Sequence, residues 1–337
     1  MSMTRKLDTL AGSGGIGNTS TNTNPANTIP NYQLPETSPL NISDLRLLQR
    51  ELDVVLTDLQ GNGISLKSAK LVVEGNKYIG VQQDTFSIVT YNVKNYMIAR
   101  WVEEGKSNVL IRIDGKPVFA GVITNITTGA PDIVSQEIVI TCLSRTTVFL
   151  TNLVKPFSLP SSMNAYNIMK VMLGDGVEIP PELKDVYVDS DVHTEGNFRN
   201  DLDSIVRAVN AKVGENQWFE IKYDHDRIDL LSSSRQLTYA YLIDGKSGLV
   251  EVPKISESGL SFKHAYRTEL TPGVAIHIDN ALLSTLGANS AFLFTMDPNG
   301  TYMVTHVKYK FQNYDGASLV CEVECYPYSK FKNWSVK

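Results

Sequence analysis

The 337-residue sequence has few cysteines, few charged residues and no long apolar run. An odd and sparse set of three cysteines gives no disulfide framework and suits a reducing cytoplasm. Charged residues make up 20% and the formal net charge is -5, so no basic surplus is available to hold nucleic acid by its phosphates. No apolar run approaches the ~20 residues of a membrane helix, and the polar N-terminus does not resemble a signal peptide. We therefore expect synthesis in a cytoplasm and no membrane insertion.

The motifs of common enzymes are also missing. The sequence has no G-x-S-x-G elbow, and no HExxH pair occurs among His193, His225, His264, His277 and His306. The alternating patterns around His277 and His306 predict strand-surface positions for both. Gly12, Gly14 and Gly17 satisfy the G-x-G-x-x-G pattern. A dinucleotide site needs a strand before this pattern and a helix after it, whereas polar residues lie on both sides here, which favours a linker.

One predicted hairpin tip offers candidate metal ligands. Asp224, His225 and Asp226, with Asp229 close in sequence, have the oxygen and nitrogen atoms to coordinate a cation. Consecutive polar residues at a hairpin tip are also typical of a solvated turn, and we favour that interpretation.

The cysteines are interpreted as packing residues. Cys142 lies within an apolar strand pattern, and Cys321 and Cys325 lie on one face of another strand because side chains alternate along a strand. No histidine cluster accompanies them. We predict no catalytic, cofactor-binding or metal-ligating residue, no cofactor and no enzymatic activity.

Residues 1–45 differ in composition from the rest of the chain. Residues 11–43 are dominated by Gly, Ser, Thr, Asn and Pro, and Glu36 is their only charged residue. Such a segment buries too little apolar surface to offset the entropy lost on ordering. We predict a flexible or extended N-terminal arm that orders against a partner in an assembly, with anchors at Ile29, Tyr32, Leu34 and Leu40.

Residues 46–155 predict a first β domain. Short alternating runs predict strands at residues 53–58, 70–74, 108–113, 118–124 and 137–142. Asp114 and Gly115 separate two of these runs and form a hairpin turn signal, because a type I′ turn needs positive φ at both positions.

Residues 156–245 predict a small α/β domain. Met163, Tyr166, Met169 and Leu173 recur at helical spacing after a cap at Ser161 or Ser162 and before Gly174. Six further apolar residues follow the same period between the cap Asn197 and Gly214; they are Phe198, Leu202, Ile205, Val206, Val209 and Val213. Residues 218–223 and 228–231 then predict a hairpin.

Residues 246–337 predict a second β domain, with strands at residues 259–263, 274–278, 302–307 and 319–325 and a turn at Asp315–Gly316. Its last hairpin aligns with an earlier one when Val118–Thr124 is laid over Tyr302–Lys308 and Cys142 over Cys325. Common β patterning explains this short match as well as a duplication does.

Several of these segments resemble the late control gene D family of phage tail hub proteins and its relatives in contractile baseplates and type VI secretion spikes. The resemblance rests on a "sGL…vP" stretch followed by "L.PG..v.I", on a closing hairpin, and on a "G..vFsG.I..v" hairpin in the first β region. Here these motifs occur at residues 248–262, 270–278, 299–325 and 113–123. The helix pattern at residues 198–213 and the hairpin pattern at residues 218–231 also resemble a helix and a "w.i..dg.i.l" hairpin of the family. The resemblance covers roughly residues 45 to 330. It does not extend to the arm, and the family carries no catalytic residue to transfer.

The resemblance implies a mainly β fold with an α+β insert, in which two tube-like β-barrel domains flank the small α/β domain. It also implies a homotrimeric baseplate hub, in which six barrel units join a sixfold tail tube to a threefold spike. The expected partners are the tube protein, a separate spike protein and other baseplate proteins. DNA would pass through the lumen without specific binding, and a mild acidic balance agrees with that. The expected location is the virion tail, assembled in the host cytoplasm.

Three other functions remain open at this point. Within the structural class, the chain could be a sixfold tube initiator or a tail-tip protein. A cell-wall hydrolase is an alternative of a different class, because tails must cross cell walls. A glycan-binding module is the third, since Tyr91, Tyr96 and Trp101 cluster in sequence, although such a cluster is more often part of a core.

Overall fold

The computed structural model describes residues 50–58, 60–80, 82–91, 93, 95–128, 137–146, 148, 158–188, 192–193, 197–214, 217–224, 227–236, 240–256, 259–278, 297, 300–314 and 318–331. The predicted arm and the glycine pattern at residues 12–17 lie outside this part of the chain. So do His225, Asp226 and the turn at residues 315–316.

Strands dominate the described residues. They are β1 (Leu52–Thr57), β2 (Gly63–Ser65), β3 (Lys70–Tyr78), β4 (Thr85–Tyr91), β5 (Asn108–Ile113), β6 (Lys116–Thr128), β7 (Glu137–Ser144), β8 (Ser158–Leu159), β9 (Val192–His193), β10 (Phe219–Asp224), β11 (Arg227–Ser232), β12 (Ala240–Ile243), β13 (Lys254–Ser256), β14 (Gly259–Ala265), β15 (Ala275–Ile278), β16 (Thr301–Gln312) and β17 (Ser318–Pro327). The helices are α1 (Asn95–Glu103), α2 (Ala165–Leu173), α3 (Phe198–Lys212) and the short α4 (Ser233–Gln236). Two 3₁₀ turns cover Pro181–Asp185 and Tyr328–Lys330.

Both β regions belong to one 13-stranded sheet. Its main ladder runs β13-β14-β17-β16-β3-β4-β7-β6-β5-β1-β2, while β15 pairs with β16 and β12 pairs with β15. All of these pairs are antiparallel except β12 with β15. The prediction of a mainly β protein is therefore confirmed. Its division into two barrels and a middle domain stays a prediction.

Local sequence signals account for several turns and helix ends. Asp114 and Gly115 have φ of 53° and 76°, which confirms the type I′ turn between β5 and β6. Asn197 caps α3 as predicted, with its side chain accepting a hydrogen bond from the Asn200 N–H. The cap of α2 is Asn164 and not Ser161 or Ser162, because Asn164 accepts from the Asn167 N–H. Gly174 ends α2 with φ of 78°, as expected.

Two separate apolar clusters hold most of the chain together. The larger one draws on both β regions, from Leu52 to Cys325, and includes Trp101. The smaller one draws only on the middle region, from Ala165 to Leu230, where α2, α3, β10 and β11 bury their apolar faces against each other. The three cysteines are free and buried within the larger cluster, which confirms their interpretation as packing residues.

The antiparallel pairing of β3 with β4 places Gly75 opposite Phe86 and leaves no room for a side chain at Gly75. A Cβ placed there would overlap the ring of Phe86, which is 1% exposed and stacks on Phe119 at 4.2 Å between ring centroids. The close packing of protein interiors makes such an overlap costly.

We expect Gly75→Ala to lower the free energy of unfolding by about 2 kcal/mol, since the added methyl group must displace a core ring. The measurement is urea denaturation. Gly176→Ala is the matched control, because a Cβ there would meet open space, and it should stay within about 1 kcal/mol of the parent protein. Equal losses in the two variants would contradict the prediction.

Candidate functional site

The two β regions repeat one strand order. In the first region the strands lie in the order β3-β4-β7-β6-β5-β1, and in the second the order is β13-β14-β17-β16-β15-β12. In both regions, therefore, strands that follow each other in sequence take the same positions in the sheet. We call the first set unit A and the second set unit B.

A shared irregularity fixes which residues of the two units correspond. The ladder of β6 with β7 shifts register at Thr124, and that of β16 with β17 shifts at Thr305. Each threonine hydroxyl donates to a carbonyl on the facing strand at 3.1 Å, Thr124 to Thr141 and Thr305 to Glu324. The residue after each of these carbonyls is a buried cysteine, Cys142 or Cys325.

These matching bulges favour duplication over chance patterning. They support the predicted correspondence of Cys142 with Cys325. The alignment of the preceding strand was wrong by three positions, since Thr124 corresponds to Thr305 and not to Lys308. Thr124 and Cys142 are 18 positions apart and Thr305 and Cys325 are 20 apart, so the hairpin of unit B is two residues longer, and the sequence pattern does not reveal this.

The units differ at their outer strands. Strand β1 runs antiparallel to β5, whereas β12 runs parallel to β15. Unit A has helix α1 between β4 and β5, and residues 266–274 span the corresponding interval in unit B.

The units join within the chain by direct strand pairing, which we call the internal seam. Residues 306–312 of β16 pair with residues 72–78 of β3. His306 stacks on Tyr78 with 4.3 Å between ring centroids, and its Nε2 lies 3.1 Å from Asn76 Oδ1. Its Nδ1 lies 3.2 Å from a carboxylate oxygen of Glu324. His306 thus acts as a bridge across three strands, which goes beyond the strand-surface role predicted for it.

Six ionisable residues lie together where the middle region meets both units, and we call them the buried charge cluster. They are Lys77, Asp84, Arg199, Glu220, Lys222 and Asp224. Lys77 Nζ lies 3.7 Å from Asp224 Oδ1, which links β3 to β10. Lys222 Nζ donates to Thr271 Oγ1 at 3.1 Å, which links β10 to unit B. The cluster therefore connects unit A, unit B and the middle region.

Arg199 is the most enclosed cation of this cluster, with 4% of its surface exposed. Its Nη2 donates to the carbonyl of Gln82 at 2.6 Å. Its guanidinium carbon lies 4.6 Å from the ring centroid of Tyr223, a cation–π distance. Because α3 begins one residue earlier, the helix dipole disfavours a cation here, and these contacts outside the helix compensate.

The two buried carboxyl groups of the cluster resist ionisation. Burial raises the pKa of Asp84 to about 6, although Lys77 and a hydrogen bond from the Tyr78 N–H oppose the rise. Burial raises the pKa of Glu220 to about 8, while a hydrogen bond from the Ile221 N–H opposes it. Burial likewise lowers the pKa of Lys222. Such shifts occur in structural networks as well as in catalytic sites.

An aromatic contact adds to the same junction. Trp218 lies 4.5 Å from Phe331 between ring centroids, and both belong to a small apolar cluster with Ile79, Leu231 and Met303. Gly273 has φ of 83° in a turn before β15, a conformation that glycine adopts without steric cost, and Leu231 fills the space beside it. The middle region is therefore packed against both units.

The candidate ligands and nucleophiles take structural positions in the described chain. Asp224 pairs with Lys77, and Asp229 pairs with Arg227 at 3.2 Å. His264 is fully buried, with Nδ1 2.6 Å from the Ala265 carbonyl oxygen. Burial raises the pKa of Cys142 and of Cys321 to about 12. No group of three metal-ligating side chains occurs among the described residues, and none of their helices is long and apolar enough to cross a membrane.

The buried charge cluster was not predicted from the sequence. One signal was present, namely a basic residue at Arg199 directly after the cap Asn197, where a helix dipole disfavours a cation. The other members lie on strands that are far apart in sequence. Only the pairing of those strands brings Lys77 and Asp224 together.

The fold of this chain is similar to that of two tail proteins of known structure. A tail protein from Neisseria meningitidis matches with a TM-score of 0.54 and 10% identity, covering 83% of this chain and 98% of that protein. The 43 kDa tail protein of prophage MuSo2 from Shewanella oneidensis matches with a TM-score of 0.53 and 7% identity, covering 83% and 99%.

A type VI secretion component from Escherichia coli is also similar, at a TM-score of 0.45 and 14% identity, covering 84% of this chain and 75% of that one. No family model matches the sequence, and no curated protein matches it significantly. At 7% and 10% identity, the two tail proteins show a shared fold.

Proposed function

We propose that this protein is the structural hub of a phage-like contractile tail and forms a homotrimeric ring. Residues 46–155 and 246–337 would be its two tube-like barrels, residues 156–245 its small α/β domain, and residues 1–45 an assembly arm. In this proposal the protein is not an enzyme and needs no cofactor. It is a component of the virion tail that is assembled in the host cytoplasm.

The duplication is the observation that carries this proposal. Two units with one strand order and matching bulges at Thr124 and Thr305 allow three chains to present six similar units. A sixfold tail tube and a threefold spike can then bind opposite sides of one ring without a symmetry mismatch. The internal seam joins two units by strand pairing, and the proposed ring would repeat that pairing between chains.

The proposed partners follow from this geometry. The tube protein would contact the ring on one side, a separate spike protein on the other, and further baseplate proteins at its outer surface. DNA would pass through the lumen without specific binding. The acidic net charge of -5 agrees with this, because it provides no attraction for the phosphates.

The test is the mass and symmetry of the purified ring. Native mass spectrometry should give three subunits, and projection images should show threefold symmetry with six similar lobes. A ring of six subunits would indicate the tube initiator or tail-tip function instead. Clear lysis of cell-wall substrate by the protein alone would indicate a hydrolase.

A further inference from the structure

Strand β6 has a free edge beyond its pairing with β5. The pairing with β5 ends at Val122, while β6 continues to Thr128 along β7. Among the described residues, nothing pairs with the other side of residues 125–128. This stretch, Asn-Ile-Thr-Thr, has no charge and no proline, the devices that usually protect an edge strand.

Strand β13 has a second free edge, at the end of the ladder. It pairs with β14 on one side, and the described chain places no strand on the other. The residues just before it expose apolar side chains, with Val250 54% and Val252 50% exposed. Exposed valines beside an unpaired strand are typical of a surface that a partner covers.

These two free edges correspond to the two edges that form the internal seam. Matching the bulges equates Thr127 of β6 with Lys308 of β16, because both lie three residues beyond the bulge. Leu260 of β14 corresponds to Phe86 of β4, because they pair with the corresponding cysteines Cys325 and Cys142. On the next strand Leu260 pairs with Ile255, and Phe86 pairs with Gly75. The residues that follow, Ser256 of β13 and Asn76 of β3, therefore correspond as well. Asn76 and Lys308 face each other in the internal seam.

We propose that β13 of one subunit pairs antiparallel with residues 125–128 of β6 in the next copy of this chain, so that Ser256 faces Thr127. This external seam repeats between chains the pairing of β3 with β16 inside each chain. Pro253 has no N–H to donate, so the seam extends no further than the three residues of β13 on that side. Val250 and Val252 are covered next to it.

A second copy of the chain is the occupant because one chain carries both complementary edges. Each subunit offers β13 on one side and β6 on the other, which gives a heterologous interface that closes into a ring. Three chains then contain three internal and three external seams. The inference rests on the proposed hub, since only a ring of three makes the six seams equivalent.

The test is disulfide cross-linking of the assembled ring that carries Thr127→Cys together with Ser256→Cys. Residues facing each other across an antiparallel pair lie close enough for a disulfide. The native cysteines do not compete, because all three are buried, and burial raises the pKa of each thiol and keeps it protonated. The readout is a denaturing gel without reductant.

We expect the oxidised double variant to run as covalent dimers and trimers and no larger species. Either single variant should stay monomeric. Asn76→Cys with Lys308→Cys, the equivalent pair in the internal seam, should cross-link within one chain and keep the monomer mass. A ring of three subunits in which the double variant stays monomeric would overturn the external seam and leave the hub intact. A ring with another number of subunits would overturn the hub itself.

Discussion

Replacing Arg199 with methionine should lower the free energy of unfolding by about 3 kcal/mol. The side chain is 4% exposed and donates to the Gln82 carbonyl, and its guanidinium stacks over Tyr223. Methionine fills much of the same volume, so the loss comes mainly from the missing donors and the missing charge. The carboxyl group of Asp84 then remains buried without this cation, and the carbonyl of Gln82 loses a hydrogen bond.

Urea denaturation followed by tryptophan fluorescence measures this loss, because Trp218 is buried at the same junction. Arg207→Met on the same helix is the matched control. The Arg207 side chain is 45% exposed and pairs with Asp203 at 2.9 Å, so its loss should cost about 1 kcal/mol or less. Equal losses in the Arg199 and Arg207 variants would show that Arg199 does not stabilise the contact between the middle region and unit A.

Raising the pH from about 5 to 8 should destabilise the protein, and Glu220→Gln should remove much of that dependence. Burial raises the pKa of Glu220 from 4.5 to about 8. The folded protein therefore holds this proton at pH values where the unfolded chain has lost it, so its stability falls as the pH rises through this window. Asp84, with a pKa raised to about 6, contributes in the same direction at the lower end.

Glutamine keeps the shape of the glutamate side chain and cannot ionise. At pH 8 to 9 the variant should therefore be more stable than the parent protein, by an amount on the order of 2 kcal/mol. Near pH 4.5 the two should differ little, because both side chains are then neutral in the folded state. The measurement is the urea midpoint across this pH range. Glu103→Gln, at an exposed position on α1, should leave the profile unchanged. Parallel profiles for Glu220→Gln and the parent protein would contradict this prediction.

The local elements were largely predictable because their signals lie within a few residues. Alternation predicted the long strands of both units, and Asp114–Gly115 predicted its turn through the φ values that a type I′ turn demands. The apolar period and Asn197 predicted α3. Helix α1 was missed, because Trp101 and its aromatic neighbours were interpreted as a cluster without a helical period.

The arrangement of those elements was not predictable from the sequence. Both β regions were predicted, and their similar hairpins left duplication and common β patterning equally open. However, β3 pairs with β16 across more than two hundred residues, and no local pattern encodes that pairing. The bulges at Thr124 and Thr305 show that the true correspondence lies three positions from the one aligned by pattern, because alternating polar and apolar residues do not fix the length of the turn between two strands.

The sequence by itself determined the class of the molecule, namely a mainly β chain with a helical insert, buried free cysteines and no enzyme motif. Those properties depend on composition and on periods of two and 3.6 residues, which local chemistry sets. Only the tertiary structure decided that the two units join in one sheet and that Lys77 and Arg199 interact with the buried Asp84. Contacts between distant strands depend on the register of the whole ladder, and that register is fixed only when the chain is packed.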